Sequence, residues 1–381
     1  MQAATLPLSG IRVVERGHGV AAAYAGRLLG TLGADVLLIE PPGGSALRRL
    51  PPFFAERSDL GVMFAYLSAG KRSIVCDEAA GLDRLLSEAD VLLDDALSTV
   101  DATSDLTRSH PDLVVVSVRP FGLTGPKAGW AASELNLIHA ASEGFLMPNG
   151  LSAEMFPQAP PLKIHGHFAE LQGGTAAALA ALAALWARPA VGGQLADVSI
   201  QDAAVALAAF AVQRHGDGSV EHRSTRSFRY GGVVECADGY VELLTLEERQ
   251  WAALVELMGR PGWATVARYD DPVERGLDGP AINARIREWA KQHDVRSLVE
   301  RAQALGLPMA KYDAPREVLD SPHTLARGTT ASVEVDGLGP LRIVTSPYLI
   351  DGQPLELRSG PPALDSARAD PGPWPVSTVA A

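Results

Sequence analysis

A succession of short β-branched and aliphatic runs, separated by helix-length segments, constrains the fold of this chain more than any other feature. The runs are 11–14 (IRVV), 35–39 (DVLLI), 72–76 (RSIVC), 90–93 (DVLL) and 113–118 (LVVVSV). Between them lie an Ala-, Leu- and Arg-rich helical stretch at 21–32 and an acidic one around 82–89. A strand buried on both faces reads as a continuous apolar run, whereas a strand with one wet face alternates. Uninterrupted runs bounded by helices therefore predict an α/β domain, a parallel sheet covered on both sides in a doubly wound arrangement.

Beyond Val118 the character changes. Residues 120–161 are rich in Gly, Pro and small side chains around one helical patch at 134–142, and a loop this long inside a domain is usually functional. An Ala-rich helix is expected over 173–188, ending at Pro189, then a strand at 195–200 and another Ala-rich helix at 201–213. The polar stretch 215–227 (HGDGSVEHRSTRS) has no apolar period and reads as a linker or exposed loop. After it, residues 232–244 (GVVECADGYVELL) carry a hairpin pattern turning at Asp238-Gly239. Helices with charged faces are expected over 248–257, 281–291 and 295–305, so this part forms a second, smaller domain. Strand-like text returns over 331–348, and no internal repeat is found.

Charge and cysteine content narrow the function. Lys and Arg number 33 against 45 Asp and Glu, a net charge of −12, which leaves no positive field for nucleic acid or an anionic membrane surface. An anionic ligand must be caught by a few local Arg or Lys residues or by helix N-termini. The two cysteines, Cys76 and Cys236, lack zinc or redox spacing and read as buried thiols of a cytoplasmic protein. The first residues (MQAATLPLSGIRVVERG) lack the pattern of a secretory signal. The most apolar run, 173–186, is shorter than the roughly 20 residues a bilayer requires and reads as a buried helix. No metal-ligand cluster and no dinucleotide glycine fingerprint appears, so neither metal nor NAD or FAD is implied.

The order of landmarks along the chain resembles the family III CoA-transferases (CaiB/BaiF type), a family that also contains the α-methylacyl-CoA racemases. The matching stretches are LPLSGIRVVE at 6–15, LLGTLGADVLLIEPPGG at 28–44, YLSAGKRSIVCD at 66–77 and PDLVVVSVRPFGLTGP at 111–126. They continue with GGQLADVSIQDA at 192–203, CADGYVEL at 236–243 and LGLPMAKYDAPREVLDSPHTLARG at 305–328. The resemblance implies a Rossmann-like large domain built from both ends of the chain, here 1–215 with 330–381. A linker at 216–227 would join it to a small α+β domain at 228–329, and two chains would interlock as a homodimer with the site between domains of different subunits. It also implies coenzyme A, as acyl-CoA, for substrate and a carboxylic acid for acceptor.

The segment HGHFAELQGGTAAALAALAALWAR, 165–188, carries the candidate site. Glu170 precedes a strongly helical run, so its carboxylate is expected near a helix N-terminus, where unpaired N–H groups and the dipole favour an anion. By resemblance it stands where the family has an aspartate, which attacks the acyl-CoA thioester to give a mixed anhydride and then an enzyme-bound CoA thioester. Without that resemblance, Glu170 reads equally as a helix-capping acid. Gly173 and Gly174 are expected to let backbone N–H groups approach an oxyanion. The racemases' catalytic histidine aligns to Ser133, which is no base at neutral pH, so two-base racemisation would need a displaced histidine such as His139, His167 or His165. A lone histidine beside an apolar helix is more often structural. Glu134, where the family usually has Asp, is expected either to hold a nearby group by hydrogen bonds or to be solvated.

For CoA, the resemblance offers Arg48 and Arg49 after EPPGG, and Lys71 and Arg72 in AGKRS, as phosphate contacts, with surface charge as the plain alternative. Gly122 and Gly125 shape the loop after the strongest strand, at the edge where α/β ligands bind. Two family landmarks are replaced. The adenine-framing Glu-Asn-Phe-Arg segment reads Asp94-Asp95-Ala96-Leu97, and a glutamine in the first βα loop aligns within 20–23 (VAAA). Tyr230-Gly231-Gly232 starts the hairpin, where some relatives have a glycine-rich lid. The leading expectation is a CoA-transferase with Glu170 as its covalent carboxylate. The alternatives are proton transfer at the acyl α-carbon and a non-catalytic subunit forming a heterodimer with an active paralogue.

Overall fold

In the computed structural model, which describes residues 6–76, 78–96, 99–147, 156–208, 212, 230–369, 372 and 374, the runs of the first half assemble as one sheet. Its strands are β1 (Arg12–Arg16), β2 (Asp35–Glu40), β3 (Arg72–Val75), β4 (Val91–Asp94), β5 (Val114–Arg119) and β6 (Leu195–Ser199). Every neighbouring pair is parallel, and the order is β3-β2-β1-β4-β5-β6. The order reverses between β1 and β4, the place where doubly wound sheets open a crevice at their carboxyl edge.

The two-residue period of a strand explains both covered faces. Val13, Val36, Val91, Leu93, Val114 and Val116 point to one side, whereas Val14, Leu37, Ile74, Leu92 and Val115 point to the other. Helices α1 (Val20–Thr31), α5 (Glu134–Ala140), α6 (Phe168–Val191) and α7 (Ile200–Ala208) cover the first side. Leu85 and Leu86 of α3 (Ala79–Ser87) and Trp374 cover the second. Helices α2 (Val62–Ser68) and α4 (Val100–Ser109) complete this unit and were not expected from periodicity.

Helix α6 departs from expectation at both ends. It begins at Phe168, and it runs through Pro189 to Val191, because a proline in the last turn removes only one remaining bond. At 24 residues it has the length and composition of a membrane span, yet Ala169, Ala177, Ala181 and Ala184 are buried against the core. The glycines serve that packing. A Cβ at Gly174 would stand 2.5 Å from the carbonyl oxygen of Ala21, and one at Gly173 would stand 2.8 Å from Ile200. Gly173 and Gly174 therefore lie in the second turn, their amides committed to the helix ladder, and the expectation that they bind an oxyanion is corrected. Gly174→Ala is expected to cost about 1–3 kcal/mol through overpacking against α1. Urea denaturation beside wild type measures it.

The molecule divides into two compact units, Met1–Gly144 with Lys163–Gly216 and Pro322–Ala381, and Phe145–Leu162 with Asp217–Ser321. The larger unit thus resumes at Pro322 rather than 330, and Phe145–Leu162 groups with the smaller one. The expected linker 216–227 lies outside the described residues. In the smaller unit β7 (Gly232–Glu235), β8 (Tyr240–Leu243) and β9 (Met309–Lys311) form an antiparallel sheet. It packs with α8 (Glu248–Leu257), α10 (Gly279–Ala290) and α11 (Val295–Ala304); α9 (Pro272–Leu277) lies between α8 and α10 in sequence. Trp251 sits in its core, edge-on to Tyr230 and Tyr269. The hairpin β10 (Thr330–Val335) and β11 (Gly339–Val344) returns to the larger unit, where Val333, Val335 and Ile343 pack with Val20, Leu38 and Phe64.

Candidate active site

Three loops at the carboxyl edge of the sheet and the start of α6 enclose an open cavity of about 430 Å³. His18 and Gly19 follow β1, Ala46 and Leu47 follow β2, and Ser133 and Glu134 follow β5. Lys163, His167 and Glu170 complete the wall.

Glu170 occupies the first turn of α6, whose N-cap is His167. His167 Nδ1 lies 2.6 Å from Glu170 Oε2. An ionised carboxylate only accepts, so with Glu170 charged this contact makes Nδ1 the donor. The side chains keep 25% and 18% exposure respectively, so the pair is open to a ligand yet partly desolvated. Lys163 donates to the carbonyl oxygens of Ile164 and Gly166 at 2.9 and 2.7 Å, which leaves its third N–H available.

Glu134 resolves one of the alternatives. Buried to 6% exposure, it accepts from the amides of Ala169 and Glu170, both at 3.1 Å. These are N-terminal helix amides with no partner inside α6, so Glu134 caps the helix that carries Glu170. Ser133 in turn caps α5, its amide donating to Asn136 Oδ1 at 3.0 Å.

The expected acid–base histidines separate. His139 is exposed, its ring against Gly144, and neither it nor His165 lines the cavity. Of the histidines named from sequence, His167 alone meets Glu170, and His139 is corrected.

The expected phosphate contacts also divide. Arg48 is spent on Glu40, with two hydrogen bonds of 2.7 Å, and its guanidinium lies 4.1 Å from the Phe64 ring centre. Burial alone would raise the Glu40 carboxyl, but hydrogen bonds from Arg48, Ser73 and the Ser45 amide hold it below its ordinary value. Lys71 is 3% exposed and is bound to Glu15 and the Ala23 carbonyl. Arg72 begins β3 and pairs with Asp35, the first residue of β2, so it stands on the amino edge of the sheet, opposite the cavity. Of the four expected contacts, then, Arg48 is held by Glu40, and neither Lys71 nor Arg72 lines the cavity. Arg49 remains at the carboxyl edge, exposed, with one hydrogen bond to the Gly43 carbonyl.

The replaced adenine segment has a different use. Asp94 pairs with Arg16, and Asp95 accepts from the amides of His18 and Gly19 at 2.9 and 2.7 Å. Burial pushes the Asp95 carboxyl up, opposed by those two amides. The first βα loop, where phosphates bind in dinucleotide folds, is thus closed by an internal carboxylate. Leu97 lies outside the described residues. Gly122 and Gly125 adopt φ of +78° and +87°, and the Leu123 amide donates to both oxygens of Asp197 at 2.9 Å, fixing their loop. Asp95 and Asp197 escape a sequence reading because each works through a partner dozens of residues away, and Lys163 because its neighbours carry no motif.

The sequence profile of CoA-transferase family III matches residues 8–368. A probable CoA-transferase of Mycobacterium tuberculosis is 32% identical over 92% of this chain, which spans 46% of that protein's length, about half. The succinyl-CoA:mesaconate CoA-transferase of Haloarcula marismortui is 30% identical over 87% of this chain and 86% of its own. Among solved structures, a CaiB/BaiF family protein from Brucella suis superposes with a TM-score of 0.81 at 25% identity, covering 96% of this chain and 98% of its own.

Proposed function

The chain belongs to CoA-transferase family III and is a CoA-transferase, and on that premise we propose that it moves CoA from an acyl-CoA to a carboxylic acid through Glu170. The observation that carries this is a carboxylate in the cavity at the start of α6, with Oε2 held by His167 at 2.6 Å. No hydrogen bond from a described residue reaches Oε1, which is left to attack.

Oε1 adds to the thioester carbonyl, the C–S bond breaks, and CoA leaves as thiolate from a mixed anhydride. The thiolate then attacks the Glu170 carbonyl carbon, releasing the donor acid and leaving CoA as a thioester on Glu170. The acceptor carboxylate displaces CoA from Glu170 as a second anhydride. The returning thiolate takes the acceptor acyl group and restores the free carboxylate. The Nδ1–H of His167 stabilises the negative charge that builds on Oε2 whenever the Glu170 carbonyl carbon is attacked, and Lys163 adds a cation to the same wall. Glu134 keeps the first turn of α6 fixed during this exchange.

The extra methylene of Glu170 relative to aspartate is accommodated by this contact. A helical side chain leans towards the N-terminus, and the i–3 bond to His167 folds the longer chain back along α6. The same contact disfavours the racemase alternative, since groups 2.6 Å apart do not straddle an α-carbon. Succinyl-CoA is the donor of choice, because relatives are named for it and the third N–H of Lys163 suits its distal carboxylate. An interlocked homodimer belongs to the same reading. It is supported by an outward stripe on α6 where Leu179 and Trp186 are 67% and 90% exposed. A relative named as an alpha subunit keeps a mixed dimer as the alternative.

Incubation with succinyl-CoA, rapid quenching and intact-mass analysis should give an adduct of CoA mass whose peptide maps to Glu170. Turnover with no adduct at any quench time, or an adduct elsewhere, overturns the role.

A further inference from the structure

The smaller unit holds a cavity of its own, about 390 Å³, bounded by the chain just after β8, the head of α8, and α9. That size is typical of sites for small molecules. Arg275 of α9 lines it with a side chain only 2% exposed, whereas Leu246, Val273 and Leu277 line it as exposed apolar groups. The cavity thus combines a buried cation with an apolar rim.

The partners of Arg275 are of two kinds. Nε donates to Tyr230 Oη at 3.1 Å, one terminal nitrogen donates to the Tyr269 carbonyl, and the Trp251 ring centre lies 5.3 Å from the guanidinium. These three residues are uncharged and buried in the core of the unit. The other terminal nitrogen donates to Glu248, the one carboxylate that pairs with Arg275 among the described residues. Glu248 is 63% exposed, so a buried guanidinium takes its countercharge from a side chain that stands mostly in water. Glu248 heads α8, and the helix dipole favours a carboxylate in that first turn whether or not it touches Arg275. An ion pair with an exposed member is weakly held. An external carboxylate can therefore replace Glu248 on Arg275 without leaving the buried charge unpaired, the costly state.

The rim sets the rest of such a ligand. Leu246 is held outward by its own backbone: its amide donates to Gln250 Oε1 at 2.6 Å, and the Glu247 amide donates to the same oxygen at 3.1 Å. Gln250 is itself buried. Val273 is fixed by Asp271, whose Oδ1 accepts from the Val273 amide at 2.8 Å. Apolar groups fixed around a buried cation suit a short hydrocarbon body behind a carboxylate.

We propose that this cavity binds a small aliphatic carboxylate, with its oxygens on Arg275 in place of Glu248 and its carbon chain on Leu246, Val273 and Leu277. Glu248 is then an internal competitor that fills the site when no ligand is bound. The site lies wholly in the smaller unit and uses none of the chemistry assigned to Glu170.

Titration calorimetry of the full chain with butanoate tests this in wild type, Glu248→Gln and Leu277→Glu. Both substitutions are at exposed positions and leave Arg275 with its core partners, and circular dichroism checks the fold. Glu248→Gln removes the competing charge and should tighten butanoate roughly threefold or more. Leu277→Glu sets a like charge on the rim and should weaken it roughly fivefold or more. Wild type should bind butanoate more tightly than acetate, which has no chain to lay on the rim. Butanoate binding that is the same in all three proteins belongs to another place, such as the cavity of Glu170, and overturns this site. Absence of butanoate binding in Glu248→Gln also overturns it, and both results leave the Glu170 reading standing.

Discussion

Replacing Glu170 by Gln is expected to lower CoA transfer from succinyl-CoA by roughly 10⁴-fold or more, the scale of losing a covalent nucleophile. The amide is isosteric and keeps a hydrogen bond to His167, because the imidazole can present either tautomer. It has no ionised oxygen to attack a thioester, so neither anhydride nor CoA adduct forms. Thermal stability and CoA binding should stay at wild-type values, since Glu134, and not Glu170, caps α6. Glu170→Asp gives the complementary result. It keeps the carboxylate and loses the reach to His167, so it should retain activity within about 100-fold. Steady-state rates with intact-mass detection distinguish these outcomes. Full activity in Glu170→Gln would falsify the nucleophile assignment outright.

The sheet was legible because its signal is local. A strand buried on both faces must be apolar throughout, and LVVVSV or DVLL can hardly be anything else between helices. Glu170 was legible for a similar reason, since a carboxylate before an Ala-rich run falls in a first helical turn. What could not be read was partnership. The spelling of AGKRS does not reveal that Lys71 turns inwards to β1 while Arg72 points to the far edge, although alternation along β3 requires neighbours to face opposite ways. Nor does Gly173-Gly174 announce whether a glycine pair admits a ligand or a neighbouring helix; the approach of Ala21 and Ile200 decides it. The capping of α6 by Glu134 joins residues 36 positions apart, beyond any motif window.

Lys71 gives the sharpest contrast between a ligand contact and a structural charge. Its ammonium and the Glu15 carboxylate are each about 1% exposed and 2.6 Å apart. Their space is closed by Gly26, where a Cβ would stand 1.9 Å from Glu15 Oε2. Burial pushes the Glu15 carboxyl up and the Lys71 ammonium down, and their mutual attraction opposes both shifts. The second oxygen of Glu15 is buried without a partner, so the pair has no reserve if one member is lost. Lys71→Met should therefore cost about 3–5 kcal/mol in urea denaturation, the usual result of orphaning a buried charge. The loss depends on pH in a defined direction. Without Lys71, Glu15 has a folded pKa raised further above its unfolded value. The folded state then holds the extra proton between the two, and stability falls as pH rises through that window. The deficit against wild type should accordingly shrink from about pH 8 to about pH 5. Glu15→Leu combined with Lys71→Met should recover most of the stability, because exchanging both partners for apolar groups is often neutral. In whatever fraction stays folded, the KM for acyl-CoA should equal that of wild type. A variant of wild-type stability with a raised KM would instead return Lys71 to the CoA site and require its side chain to leave Glu15.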